Sequence, residues 1–295
     1  MNMRKQFVVT LESLLSEDKR ITLLLGDIGV FGFHQAFEKY PERVYNIGIL
    51  EQATIGLASG LAMLDLIPVV HTIAPFLVER SFEQLKIDFA YQKLGGNFIS
   101  VGASYDYAAL GCTHHCPGDV GILKTIPGME IITPGTDKEF DSLFRQCYAN
   151  GKPTYFRLSE KNNTESSEVH FGKANVIKKG TKATVIAIGT MLDLVLEATK
   201  DFDVTLLYYT TLAPFDSQTL KENSESGRIL LCEPYYSGAL SSNIVKALFP
   251  QKIIFDTLGV PCEFMENYGK AEEHDKYIGL TVENIKLRIK QLVYA

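Results

Sequence analysis

Apolar residues in this chain fall into short runs separated by amphipathic stretches. ITLLLGD (21–27), VYNIGI (44–49), IPVVHTI (67–73), NFISVGA (97–103), MEIITPG (129–135) and PTYFRLS (153–159) have the length and composition of buried strands. Between them the period changes. Phe7, Val8, Leu11, Leu14 and Leu15 recur at helical spacing, Phe82, Leu85 and Phe89 share one face of SFEQLKIDFAYQKL, and GDVGILKTI reads as a short helix. Thr136 and Glu139 have capping-box spacing ahead of DKEFDSLFRQCYAN. Strands alternating with helices predict a parallel sheet covered on both faces. Residues 159–175 are polar and aperiodic, as in a linker. The alternation then restarts through ATVIAIGT, LDLVLEATKD, VTLLYYTTL, SQTLKENSES, RILLCEP, ALSSNIVKALF and KIIFDTLG, ending in a helix over 281–293. The expected fold is therefore α/β with two doubly wound domains, a first over 1–160 and a smaller second over 176–295, joined by 161–175. The charged segment 263–279 reads as a solvated face.

Composition narrows the function classes. With 295 residues, 46% of them hydrophobic, the chain can bury two cores. Its net charge of −6, with no Lys/Arg block, argues against a nucleic-acid footprint. Polar residues such as Thr22, His71 and Glu79 interrupt every apolar run before it reaches spanning length, and the first twenty residues carry no signal-peptide pattern, so a cytoplasmic protein is expected. Five scattered cysteines do not resemble a disulfide framework. The cluster CTHHC (112–116) has metal-ligating residue types but no second spaced pair, so no metal is expected there.

Glu51 draws attention as a carboxyl at the entry of the small-residue helix ATIGLASGLAML, where Gly56, Ala58, Ser59, Gly60 and Ala62 permit close approach of a neighbour. Complementing the helix dipole is its simplest role. Asp27, at a strand end, stands where open α/β sheets place ligand groups or where a turn needs an Asp. Phe76 and Phe82 read equally as core aromatics and Arg80 as a surface ion-pair partner. His114 lies in a Gly-flanked turn.

In order, NIGILEQ (46–52), APFLVERSFEQ (74–84), LGCTHHCPGDVGILKTIPGMEIITPGT (110–136) and PTYFRLSEKN (153–162) resemble the pyrimidine-binding domain of thiamine-diphosphate enzymes of the transketolase and deoxyxylulose-phosphate-synthase group. The resemblance continues through a transketolase C-terminal-like domain to the chain end. It implies that Glu51, as the Glu of a G-x-x-E-Q motif, hydrogen-bonds the cofactor's pyrimidine from an apolar site that raises its pKa. It implies that Phe76, or Phe82 in reserve, stacks on that ring; the Phe76-to-Arg80 spacing is one residue longer than the usual pattern. It further implies that Asp27 approaches the thiazolium, that Arg80 contributes to the cofactor site, that His114 faces substrate hydroxyls and that Arg157 meets substrate.

Departures from the pattern carry information too. Leu110 replaces the acid of the D-G-x-T-H motif, and Gly102 and Glu160 align with a His and an Arg that grip sugar phosphates. An acceptor other than a simple aldose phosphate, larger or nucleotide-linked, is the expectation. The only Gly-Asp pairs, Gly26-Asp27 and Gly118-Asp119, lack the Gly-then-Asn sequel that binds magnesium and diphosphate in this family. The resemblance thus implies thiamine diphosphate and Mg2+ held jointly with a separate N-terminal-type subunit, as an α2β2 heterotetramer. The leading reading is the C-terminal subunit of a split transketolase moving a two-carbon ketol unit from a ketose donor. A 2-oxoacid dehydrogenase β-subunit or pyruvate-using carboligase is the alternative, and a non-catalytic scaffold the third.

Overall fold

A computed structural model describes residues 1–294 and builds two sheets. The first contains β1 (Ile21–Leu25), β2 (Val44–Asn46), β3 (Ile67–Ile73), β4 (Gly96–Val101), β5 (Glu130–Ile132) and β6 (Pro153–Arg157). The second contains β7 (Ala174–Lys178), β8 (Thr184–Ile188) and β9 (Thr205–Tyr209). A short β10 (Thr211–Ala213) follows, and β11 (Arg228–Tyr236) and β12 (Ile254–Val260) complete the second sheet.

Strand order in the first sheet is β10-β5-β6-β4-β3-β1-β2, parallel except for β10. The second runs β12-β11-β8-β9-β7, with only the edge strand β7 antiparallel. Every residue of β1, β4 and β6 is buried, as expected of strands covered on both faces. Helices Met3–Glu17 and Asp137–Cys147 pack together on one face through Phe7, Leu11, Phe140 and Phe144. Helix Glu51–Ala62 covers β3 on the other. No helix among the described residues is long and apolar enough to cross a membrane.

Four expectations change. The apolar run 204–212 reads as one strand, but it bends at Thr210, whose carbonyl accepts from Thr133, and β10 crosses to the edge of the first sheet. That edge offers unpaired backbone groups, and pairing satisfies them. Segment 81–94 is not a plain helix, because Leu85–Tyr91 is π-helical. The strap 161–173 is polar yet docked: Asn163 is buried and donates to the Gly189 carbonyl, and Ser167 N–H donates to Glu139. Glu139 also accepts from Tyr208 of the second sheet, at 2.7 Å, so the capping residue ties the two halves together. Segment 263–279 is only partly solvated. It forms helix Ala271–Ile278, whose His274 is buried against Tyr105 and His115 of the first half.

Candidate active site

Glu51 is the first residue of its helix, delivered by a turn in which Gly48 adopts φ +82°. Its side chain is buried, and Oε2 accepts from Arg80 Nη1 at 2.9 Å. Oε1 is buried with no partner, beside a recess lined by Gly26, Thr54, Thr72 and Leu77. A bare carboxyl oxygen in such a place costs free energy unless a ligand meets it.

Short helix Ala74–Val78, started by Pro75, presents the rest. Arg80 folds back so that its guanidinium lies over the Phe76 ring, 4.3 Å from the centroid. His114 meets the same ring edge-on at 5.3 Å, with Tyr107 at 6.5 Å from the imidazole. Thr113 Oγ1 lies 3.0 Å from His114 Nδ1. The fold therefore brings Glu51, Arg80, Phe76 and His114 into one contiguous group, although they come from three separate segments. A half-buried aromatic face beside a carboxyl with one unmet oxygen suits an aminopyrimidine ring, so these residues fit that half of thiamine diphosphate.

The remaining expected residues fall elsewhere or take other partners. Asp27 sits exposed at the end of β1 in a left-handed conformation, φ +60°, clasped by Asn46, which accepts from its N–H and donates to its Oδ1. Phe82 packs in the core that holds Leu85 and Phe89, not the one behind Phe76. Arg157 forms an ion pair inside the first half. Its side chain is buried, Nε donates to Asp119 Oδ2 at 2.7 Å and Nη2 to Ser104 Oγ at 2.6 Å. Burial works against its charge, but the Asp119 carboxylate outweighs that and raises the Arg157 pKa.

Within CTHHC the residues diverge, Cys112 being exposed and His115 and Cys116 buried. Burial, then the neighbouring His274, lowers the His115 pKa, and burial pushes the Cys116 thiol up. A cavity of about 320 Å³ between the two halves, lined in part by Arg157, Asp106, Lys161 and Asp193, is distinct from the Glu51 group. Each of those four charges already has a partner: Asp119, Ser159, Asp275 and Thr164 respectively. Desolvation still pushes Asp106 up to about 6.

Reading from sequence missed Asp119 and Tyr107. Asp119 stood in view as a Gly-Asp pair opening a short helix, but nothing linear connects it to Arg157. Tyr107 explains Gly102: at φ +78°, a Cβ there would lie 2.6 Å from the Tyr107 ring. A histidine at position 102 has no room.

Comparison with known proteins bears on the family of the chain. Residues 1–165 match the family model "Transketolase, pyrimidine binding domain" and residues 172–285 match "Transketolase, C-terminal domain". An uncharacterized 33.6 kDa protein in the fasciation locus of Rhodococcoides fascians is 36% identical, covering 97% of this chain and 93% of that one. A subunit of the apulose-4-phosphate transketolase of Phocaeicola vulgatus is 29% identical over 96% of this chain and 94% of its own. Among solved structures, a split-gene transketolase described as an inactive beta4 tetramer superposes with a TM-score of 0.87 at 24% identity, covering 100% of this chain and 98% of that one. With both family domains matched in order across most of its length, the chain belongs to the transketolase family.

Proposed function

We propose that this chain transfers a two-carbon ketol unit from a ketose donor to a carbonyl acceptor, as one subunit of a split transketolase whose partner chain supplies the magnesium and diphosphate site. The observation that carries the reading is Glu51, buried with one oxygen unmet beside the Phe76 face and His114. The names of the relatives support it, one being a single subunit of a transketolase and one solved neighbour a split-gene transketolase.

Thiamine diphosphate, when bound, supplies the nucleophilic carbon and the electron sink. This chain's share is positional. Glu51 would meet the ring nitrogen, Phe76 would stack on the ring, and Asp27, exposed at the end of β1, would approach the cationic ring if Asn46 released it. His114 hydrogen-bonds donor hydroxyls and exchanges a proton there, a task suited to imidazole near neutral pH. Tyr107 in place of a phosphate-gripping histidine, and a carboxylate at Glu160, favour an acceptor without a phosphate at that position, such as a larger or nucleotide-linked sugar.

The test is co-purification from source lysate with and without thiamine diphosphate and Mg2+, followed by donor and acceptor screening of the isolated pair. A stoichiometric partner bearing the missing motif, with ketose cleavage that depends on Glu51, is the expected result. Carbon dioxide release from pyruvate would assign the chain to the 2-oxoacid dehydrogenase side. Full activity of a Glu51→Ala pair would leave a scaffold.

A further inference from the structure

Arg80 occupies, within this chain, the two places that a pyrimidine ring would need. Its guanidinium is a planar, delocalised donor that lies over the Phe76 ring at 4.3 Å while giving an N–H to Glu51 at 2.9 Å. An aminopyrimidine would need the same face of Phe76 and the same carboxyl, with the polarity of the bond reversed because its ring nitrogen accepts. Guanidinium groups stack and pair in this way because they are weakly hydrated and flat. One side of the Phe76 ring cannot carry both. Resting on the ketol-transfer reading above, we propose that Arg80 is a stand-in for the cofactor ring. On this proposal, thiamine diphosphate enters by displacing the guanidinium from both Phe76 and Glu51.

Which partner moves follows from exposure. The Glu51 side chain is 3% exposed and anchored at a helix start, whereas that of Arg80 is 43% exposed. Apart from its bond to Glu51 the guanidinium has no hydrogen-bond partner among the described residues, so it swings into solvent at little cost. The other titratable groups nearby are Glu79 on the same segment, His114 and Cys116 on the facing loop, and Asp88 beside Gly56. None of them bonds to Glu51 or Arg80.

The experiment uses the complex with its partner chain, comparing wild type with Arg80→Gln and Arg80→Lys. Stopped-flow binding of thiamine diphosphate in Mg2+ gives the association rate, and calorimetry gives the affinity. Removing a state in which the subsite is filled should raise the association rate and the affinity about tenfold in Arg80→Gln. The Arg80→Lys variant retains the charge without the planar stack and should lie between. Weaker cofactor binding in Arg80→Gln would make Arg80 a cofactor ligand and overturn the proposal, as would an unchanged rate and affinity. Failure of the wild-type complex to bind thiamine diphosphate at all would overturn the underlying ketol-transfer reading along with it.

Discussion

Two buried carboxylates in the first domain each face an arginine at bonding distance, and they differ in every other respect. Asp119 accepts from Arg157 and Tyr155 on Oδ2 and from the Val120 N–H on Oδ1, and its arginine side chain is only 3% exposed. Glu51 has one bare oxygen, and its arginine stands 43% exposed over an aromatic ring. The first pair is closed, with each acceptor site occupied by the fold, so its role is to hold β6, β4 and the helix at Asp119 in register. The second is open, with an unmet acceptor and a half-exposed cation. Satisfaction of hydrogen bonds, rather than burial or charge, separates the two.

Breaking each pair tests this distinction. Asp119→Ala strands the Arg157 charge in the interior and should cost about 3–5 kcal/mol of stability, read by denaturant unfolding. Glu51→Gln should leave stability within about 1 kcal/mol, since Arg80 is free to turn to water. In the assembled enzyme it should nevertheless lower kcat about a thousandfold, because the amide cannot exchange the carboxyl proton. Equal loss of stability in the two variants would remove the contrast.

A third buried group serves as a control within the same domain. His71 on β3 is fully buried against Phe7, with Nδ1 2.9 Å from the Ile99 carbonyl and Nε2 unpartnered. Burial lowers its pKa from 6.5 to about 4. The folded state thus refuses a proton that the unfolded chain accepts, and stability present above pH 6.5 is lost as pH falls toward 4, by about 3 kcal/mol. The His71→Asn variant should flatten that limb of a pH-stability curve. The smallest effect concerns the loop beside His114. Gly102→Ala combines positive φ with a clash against Tyr107 and should cost about 2 kcal/mol. Adding Tyr107→Ala should recover the steric part and leave the backbone part.

Most strands and helices were legible because each depends on local period: apolar runs for strands covered on both faces, and recurrence at three and four for helices. Where the linear reading departed from the fold, a distant partner decided the matter. The run 204–212 splits because the edge of the first sheet takes its last residues. His274, inside a charged segment that reads as solvated, is buried because Tyr105 and His115 cover it from the other half. The candidate site divides in the same way. Glu51, Phe76, Arg80 and His114 could be picked out by the order of their motifs, and the fold gathers them. Arg157 and Phe82 could be picked out too, yet the fold gives them to an ion pair and to the core.

By itself the sequence determined the α/β alternation, the two-part organisation and the family-bearing motifs, because these are written in residue types at fixed spacing along one chain. Only the tertiary structure decided which charges are spent on each other and which remain available. It pairs Arg157 with Asp119, lays Arg80 across Phe76 and leaves one oxygen of Glu51 bare. Such pairings depend on side chains meeting across separate strands and helices, where low dielectric and the exclusion of water make each bond, or its absence, count.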